Sequence, residues 1–194
     1  MAQKIKKTIT RVGYALMNIG ELTGVITYEP PVWFISTEAG GREYSAEPNG
    51  ELKEIYADGV VVYSTEENNG YDINLTLLAI IDDIDESLLG NVVTTAGVAE
   101  YASPIPRPRF ALFICEETTD GVGQTTIWYN CQVSKRPKNA GKTSEGSTFD
   151  AQFLELPIAA RPRINDKLIR YTIKGKTLFT SVPMPSEVPQ EVEE

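Results

Sequence analysis

Tyr71 to Ile81 carries the cleanest alternation in the chain. Tyr71, Ile73, Leu75, Leu77, Ala79 and Ile81 are apolar, and Asp72, Asn74 and Thr76 between them are polar. A period of two marks a strand with one buried and one wet face. Thr125 to Lys135 repeats the pattern, with Ile127, Tyr129, Cys131 and Val133 on one face and Trp128 as the bulky exception on the other. Phe110-Ala-Leu-Phe-Ile-Cys115 is an unbroken apolar run of strand length, as expected for a strand buried on both faces. Between these two strands lies Asp120-Gly121, a hairpin signal. Segments 24–28, 32–36, 60–64, 149–156, 168–173 and 178–181 are rich in β-branched or aromatic residues and bounded by turn formers. The pattern predicts roughly seven to nine strands.

One helix is expected. Ile81, Ile84 and Leu88 recur at helical spacing, Asp82 or Asp83 can cap it, and Asp83-x-x-Glu86 resembles a capping box. Gly90 stands where a helix ends. Three regions lack periodicity. Glu38 to Leu52 reads as a long exposed loop or a flexible hairpin around Tyr44, and Lys135 to Gly146 as a second loop, basic at its start. Pro183 to Glu194 is acidic and proline-rich with little to bury, so a disordered tail is expected. The division is one domain over 1–182, with exposed loops at 38–52 and 135–146, and a tail over 183–194. The fold class is mainly β: an antiparallel β-sandwich or barrel-like core with one short flanking α-helix. So many strands leave edges to be blunted, covered or paired, and pairing with further copies of the chain is one solution.

Charge narrows the function classes. The 194 residues hold 18 basic and 27 acidic side chains, a net charge of −9. Such a surface disfavours tight nucleic-acid binding, which needs clustered Lys and Arg. There is no histidine, so His-dependent triads, Cys–His dyads and His–zinc sites are excluded. Asp82, Asp83, Asp85 and Glu86 read as a helix N-terminus, which favours carboxylates, and not as a glycosidase pair or a calcium loop. Gly141-Lys142-Thr143 ends like a phosphate-binding loop, but Arg136 stands where that motif needs its first glycine. No G-x-S-x-G or S-x-x-K pattern is present. Asn74-Leu75-Thr76 fits a glycosylation acceptor only formally, because it lies mid-strand. No enzyme, metal site or cofactor is expected. A hairpin centred near Gly121 sets Cys115 opposite a residue near Ile127, and Cys131 opposite a residue near Ala111, so the thiols are expected buried, reduced and unpaired with each other. Trp33, Phe34, Tyr44, Trp128 and Tyr129 read as core and cross-strand packing, with subunit contacts or stacking on sugars or bases as the other uses. No apolar stretch approaches the ~18–20 residues of a spanning helix, and no secretory h-region follows the basic N-terminus, so neither membrane nor export is expected.

An ordered set of short segments then points to a family. Val25-Ile-Thr-Tyr-Glu-Pro30 is followed by Ile55-Tyr-Ala-Asp-Gly59, Gly70-Tyr-Asp-Ile-Asn-Leu75, Leu88-Leu-Gly90, Phe110-Ala-Leu-Phe113 and Trp128-Tyr-Asn-Cys-Gln-Val133 ahead of Arg136-Pro137. Over roughly residues 10–160 this resembles the major tail proteins of long-tailed phages of Gram-positive bacteria, the phi13 or TP901-1 type. Gly59 departs from the asparagine common there, and the segment before Phe110 is unusually rich in Pro and Arg. The resemblance implies a virion structural protein made in the bacterial cytoplasm, with a β-sandwich or barrel-like tail-tube fold. Six copies would close into rings, and rings would stack into a tube through which DNA is ejected without specific binding. Tape-measure and tail terminator or initiator proteins are the implied partners. Loops such as 38–52, expected to order on assembly, would reach the next ring. The alternative is a monomeric β-sandwich that binds carbohydrate or a surface protein through aromatics such as Trp33 and Trp128.

Overall fold

The computed structural model describes residues 5–20, 24–102, 107–138, 153–176 and 178–185. In chain order the strands are β1 (Lys6–Ile19), β2 (Ile26–Tyr28), β3 (Val32–Trp33), β4 (Gly41–Pro48), β5 (Leu52–Ala57), β6 (Val60–Glu66), β7 (Tyr71–Leu77), β8 (Val92–Thr94), β9 (Gly97–Ala99), β10 (Arg109–Thr118), β11 (Gln124–Val133), β12 (Leu154–Ala160) and β13 (Arg170–Lys174). Two short helices, α1 (Ser36–Ala39) and α2 (Asp82–Ser87), interrupt them. The protein is mainly β and sandwich-like, with every paired strand antiparallel.

The main sheet runs β2-β1-β10-β11-β12-β7-β4, with β3 beside β1 and β13 beside β11. It folds back on itself, so that the α-carbon of Gly41 in β4 faces β1: a Cβ there would lie 2.4 Å from Val12 Cγ2. The enclosed core is built from Val12 and Tyr14, Phe110, Leu112 and Ile114, Trp128, Ile73, Leu75 and Leu77, and Leu156 and Ile158. Ile84 and Leu88 close it from α2. The other face of β1, β10 and β11 carries a second cluster around Ala15, Ala111, Phe113, Ile127 and Tyr129. The apolar run 110–115 is therefore buried on both faces, as its composition predicts.

The second cluster is covered by Trp33, Tyr171, Ile173, Phe179 and Val182. Phe179 sits against Trp33 and Phe113 with both centroids at 5.3 Å. Residues 178–181 were expected as a strand and instead form an irregular strap held by side chains. The strap continues past the expected start of the tail: Tyr129 Oη donates to the Pro183 carbonyl, and Arg163 Nη1 lies 3.3 Å from Met184 Sδ. The remainder of the expected tail, 186–194, lies outside the described residues.

Several expectations are corrected. The region 38–52 is not an open loop: Gly41–Pro48 is β4, paired along its length with β7 from Gly41↔Leu77 to Pro48↔Tyr71. Its polar composition reflects an edge strand with one wet face. The strand expected to reach Ile81 stops at Leu77, and α2 begins four residues after Leu78. The capping box does not form, because Ile81 is the N-cap and no side chain bonds the first turn. Asp82, Asp83 and Asp85 still lie in that turn, and Gly90 has φ +67° just beyond the helix. Most of the expected loop 135–146, including Gly141-Lys142-Thr143, lies outside the described residues.

Candidate assembly surface

β4 and β7 do not end at the sheet. Asn49 N–H donates to the Gly70 carbonyl at 2.8 Å, Asn69 N–H to Asn49 at 2.8 Å, and Glu67 N–H to Glu51 at 3.2 Å. The ladder then continues from Leu52↔Glu66 to Ala57↔Val60. One long ribbon thus runs from the sheet into the β5–β6 hairpin. At its neck the strands approach closely: a Cβ on Gly50 would stand 1.7 Å from the Glu67 carbonyl oxygen. At its tip Asp58 and Gly59 have φ of +53° and +81°, the two left-handed residues of a type I′ turn. The six residues of β5 span ~20 Å at strand rise.

Among the described residues, this hairpin belongs to neither packed cluster. Every residue from Glu51 to Ser64 is exposed. Seven of them are large and apolar: Leu52, Ile55, Tyr56, Val60, Val61, Val62 and Tyr63, with Tyr56 62% and Val60 65% accessible. Ile55 and Tyr63 are direct cross-strand neighbours, and Tyr56 lies opposite Val61. Period two sends successive residues to opposite faces, so apolar groups occur on both. An isolated two-stranded hairpin is marginal in water, and contiguous exposed apolar surface marks an interaction site. The sequence of the arm is otherwise acidic, with Glu51, Glu54, Asp58, Glu66 and Glu67 against Lys53. Lys53 Nζ bonds Glu67 at 2.7 Å across the neck, which holds the Glu67 carboxyl below its ordinary range and the Lys53 ammonium above its own. Tyr56 Oη donates to Glu54 at 2.6 Å, which raises the Tyr56 phenol.

The main sheet also offers free edges. β2, at one end, has three residues. β4, at the other, has eight, and among the described residues β7 is its only ladder partner. Short strands blunt an edge, and a long one is open to a further strand. A second small hairpin, β8–β9, leaves Val92 and Val98 exposed.

The residues singled out in the sequence sit elsewhere. Phe34, Trp128 and Tyr129 are buried, and Trp33 is half-buried against Phe113 and Phe179, so none is an open platform for a sugar. The exposed aromatics are instead Tyr56, Tyr63 and Tyr101. Asp85 accepts from Asn91 Nδ2 at 2.7 Å, which occupies part of the acidic cluster in closing α2. Among the described residues no three Cys, Asp or Glu side chains are grouped to hold a metal, and no helix is long and apolar enough to cross a membrane. β5 escaped the sequence reading. Its signal was Leu52, Ile55 and Tyr56 before Asp58-Gly59, with Val60-Val-Val-Tyr63 after it. No protein-family model and no curated protein matches the chain.

Proposed function

We propose that this protein is a tail-tube subunit of a long-tailed phage, which closes into hexameric rings that stack into a conduit for DNA ejection. The observation that carries the reading is the β5–β6 hairpin, an arm with exposed apolar side chains on both faces that no described part of its own chain covers. Burying that arm on a neighbouring copy removes apolar area from water at ~25 cal/mol per Å². Contacts between an arm and a different surface are heterologous, so they close into rings or propagate as tubes. β4, which has no second ladder partner among the described residues, supplies a second means of joining copies, by strand pairing. The resemblance in the sequence supports the same reading, and its Ile55-to-Gly59 segment falls on this arm. The net charge of −9 suits a DNA conduit, because an acidic protein repels phosphates.

The test is sedimentation velocity with negative-stain electron microscopy over a concentration series. Rings or striated tubes that grow with concentration are the expected result. The Ile55→Ser/Tyr63→Ser double variant is expected to keep the monomer's melting temperature and lose the large species. A monodisperse monomer at every concentration, unchanged when a tail initiator complex is added, would overturn the proposal.

A further inference from the structure

A cleft of about 550 Å³ opens between β4 and the β11–β13 pair, at the polar end of the core. Its floor follows from strand register. Thr126 pairs directly with Thr172, and Trp128 with Arg170, so these four side chains share one face of the sheet. Glu116 pairs with Gln124 one row further on.

The hydrogen-bond inventory of this cleft is lopsided. The buried Glu116 carboxylate already accepts from three donors: Lys6 Nζ at 2.8 Å, Gln124 Nε2 at 2.9 Å and Tyr44 Oη at 3.0 Å. Tyr44 in turn accepts from Lys6 at 2.7 Å. Unused capacity lies on the donor side. Trp128 is 1% exposed, lines the cleft, and its Nε1–H has no partner among the described residues. Arg170 lies over the Trp128 and Tyr71 rings at 5.3 and 5.2 Å, and no carboxylate among the described residues pairs with it. Stacking fixes the plane of a guanidinium and leaves its N–H fork directed outward. The charges of Lys6 and Glu116 cancel, so Arg170 leaves the cleft with one net positive charge. A buried unpaired N–H is costly, and such a group calls for a partner.

We propose that this cleft binds a small organic carboxylate, held by the Arg170 guanidinium and the Trp128 indole N–H, with the Thr126 and Thr172 hydroxyls beside it. A carboxylate fits because it is acceptor-only, carries the one negative charge the cleft lacks, and matches the fork of an arginine. The volume lies within the range of small-molecule sites. A phosphate dianion would leave the cleft with net negative charge beside Glu116, and a neutral sugar would leave Arg170 uncompensated.

The chain has two tryptophans, so an amide spectrum of the ¹⁵N-labelled protein shows two indole signals. The test titrates dilute full-length protein with acetate, benzoate and succinate against sodium chloride at equal ionic strength. The Trp128 indole is expected to shift saturably with at least one carboxylate while the Trp33 signal stays fixed. Arg170→Gln, an exposed substitution, is expected to weaken that response at least ~10-fold, the size of one charge-assisted bond. Thr172→Val, also exposed, is expected to weaken it ~3-fold. The proposal is overturned if no acid gives a saturable shift, if chloride gives the same shift, or if Arg170→Gln responds as the parent does.

Discussion

Phe179 stands edge-on to Phe113, with ring planes at 80° and centroids 5.3 Å apart. This contact places the C-terminal strap in the second cluster and changes what truncation should do. A chain cut after Val182 looks harmless in sequence, since the residues beyond it are mostly Pro and Glu. It removes the Pro183 carbonyl that accepts from Tyr129 Oη and the Met184 thioether beside Arg163. Leaving a buried hydroxyl without its acceptor costs ~1–3 kcal/mol. Truncation after Val182 is expected to lose stability in that range in urea unfolding, whereas truncation after Pro185 keeps both of these contacts. Phe179→Ala is expected to cost about 2 kcal/mol, below the ~3–5 of a fully buried phenylalanine, because the ring is half-buried.

The neck of the arm gives a second prediction. No side chain fits at Gly50, because its Cβ would meet the Glu67 carbonyl oxygen at 1.7 Å. That atom is backbone, so relief requires the two strands to separate. Gly50→Ala is expected to cost ~1–3 kcal/mol, the usual range for overpacking. It should also speed amide exchange at Glu67 and Asn69, whose N–H groups cross the neck. Unchanged protection at both amides would show that the neck absorbs the methyl by another route.

How much of this was legible in the sequence depends on whether one local signal decided each element. The central hairpin was readable because 110–115 is continuously apolar and Asp120-Gly121 marks the turn. β1 was not, although it is the longest strand at 14 residues. Its first half is exposed and its second half is buried from Val12 through Ala15, so neither half shows clean alternation. β4 was hidden by its own polarity, as suits an edge strand. Face assignment in β11 was half right. Ile127 and Tyr129 do share a face, but Cys131 and Val133 join the Trp128 side. Between Phe110↔Cys131 and Leu112↔Trp128, β11 carries one more residue than β10, and a bulge of that kind exchanges faces. The arm lay in plain view as residues, but whether apolar strands pack inward or project depends on what the rest of the chain covers. The cleft depends on Trp128 and Arg170 meeting across a pairing that no local pattern specifies.

The register also sets the thiol chemistry. Cys115 lies opposite Thr125 and Cys131 opposite Phe110, close to the partners the turn position predicts. Both thiols are free and buried. Burial raises both above the ordinary thiol range, against a bond to Thr125 at Cys115 and to the Leu112 backbone at Cys131. Native protein at neutral pH is therefore expected to react with a thiol reagent only as fast as it opens, and both cysteines should label at once in denaturant. Fast labelling of one cysteine in folded protein would show a local opening of β10 or β11.

Tyr28 gives the protein an alkaline limit. Burial pushes its phenol up to about 12, against the pull of the Arg163 guanidinium beside it. Its Oη donates to the Tyr129 carbonyl at 2.8 Å, a bond that needs the proton. An unfolded tyrosine ionises near ~10. Between those values the folded chain retains a proton that the unfolded chain has lost, so unfolding releases it. The stabilisation is complete below about pH 10 and falls as the pH rises towards the folded value. Lys6 adds a decline of the same sign: burial lowers its ammonium, but its bonds to Glu116 and Tyr44 outweigh that and raise it overall. Tyr28→Phe is expected to be less stable at pH 8, for want of the bond to Tyr129, yet to lose less between pH 9.5 and 11.5. Urea unfolding of both proteins across that range measures the difference. Equal slopes would mean that Tyr28 ionises in the folded protein as freely as it does in the unfolded chain.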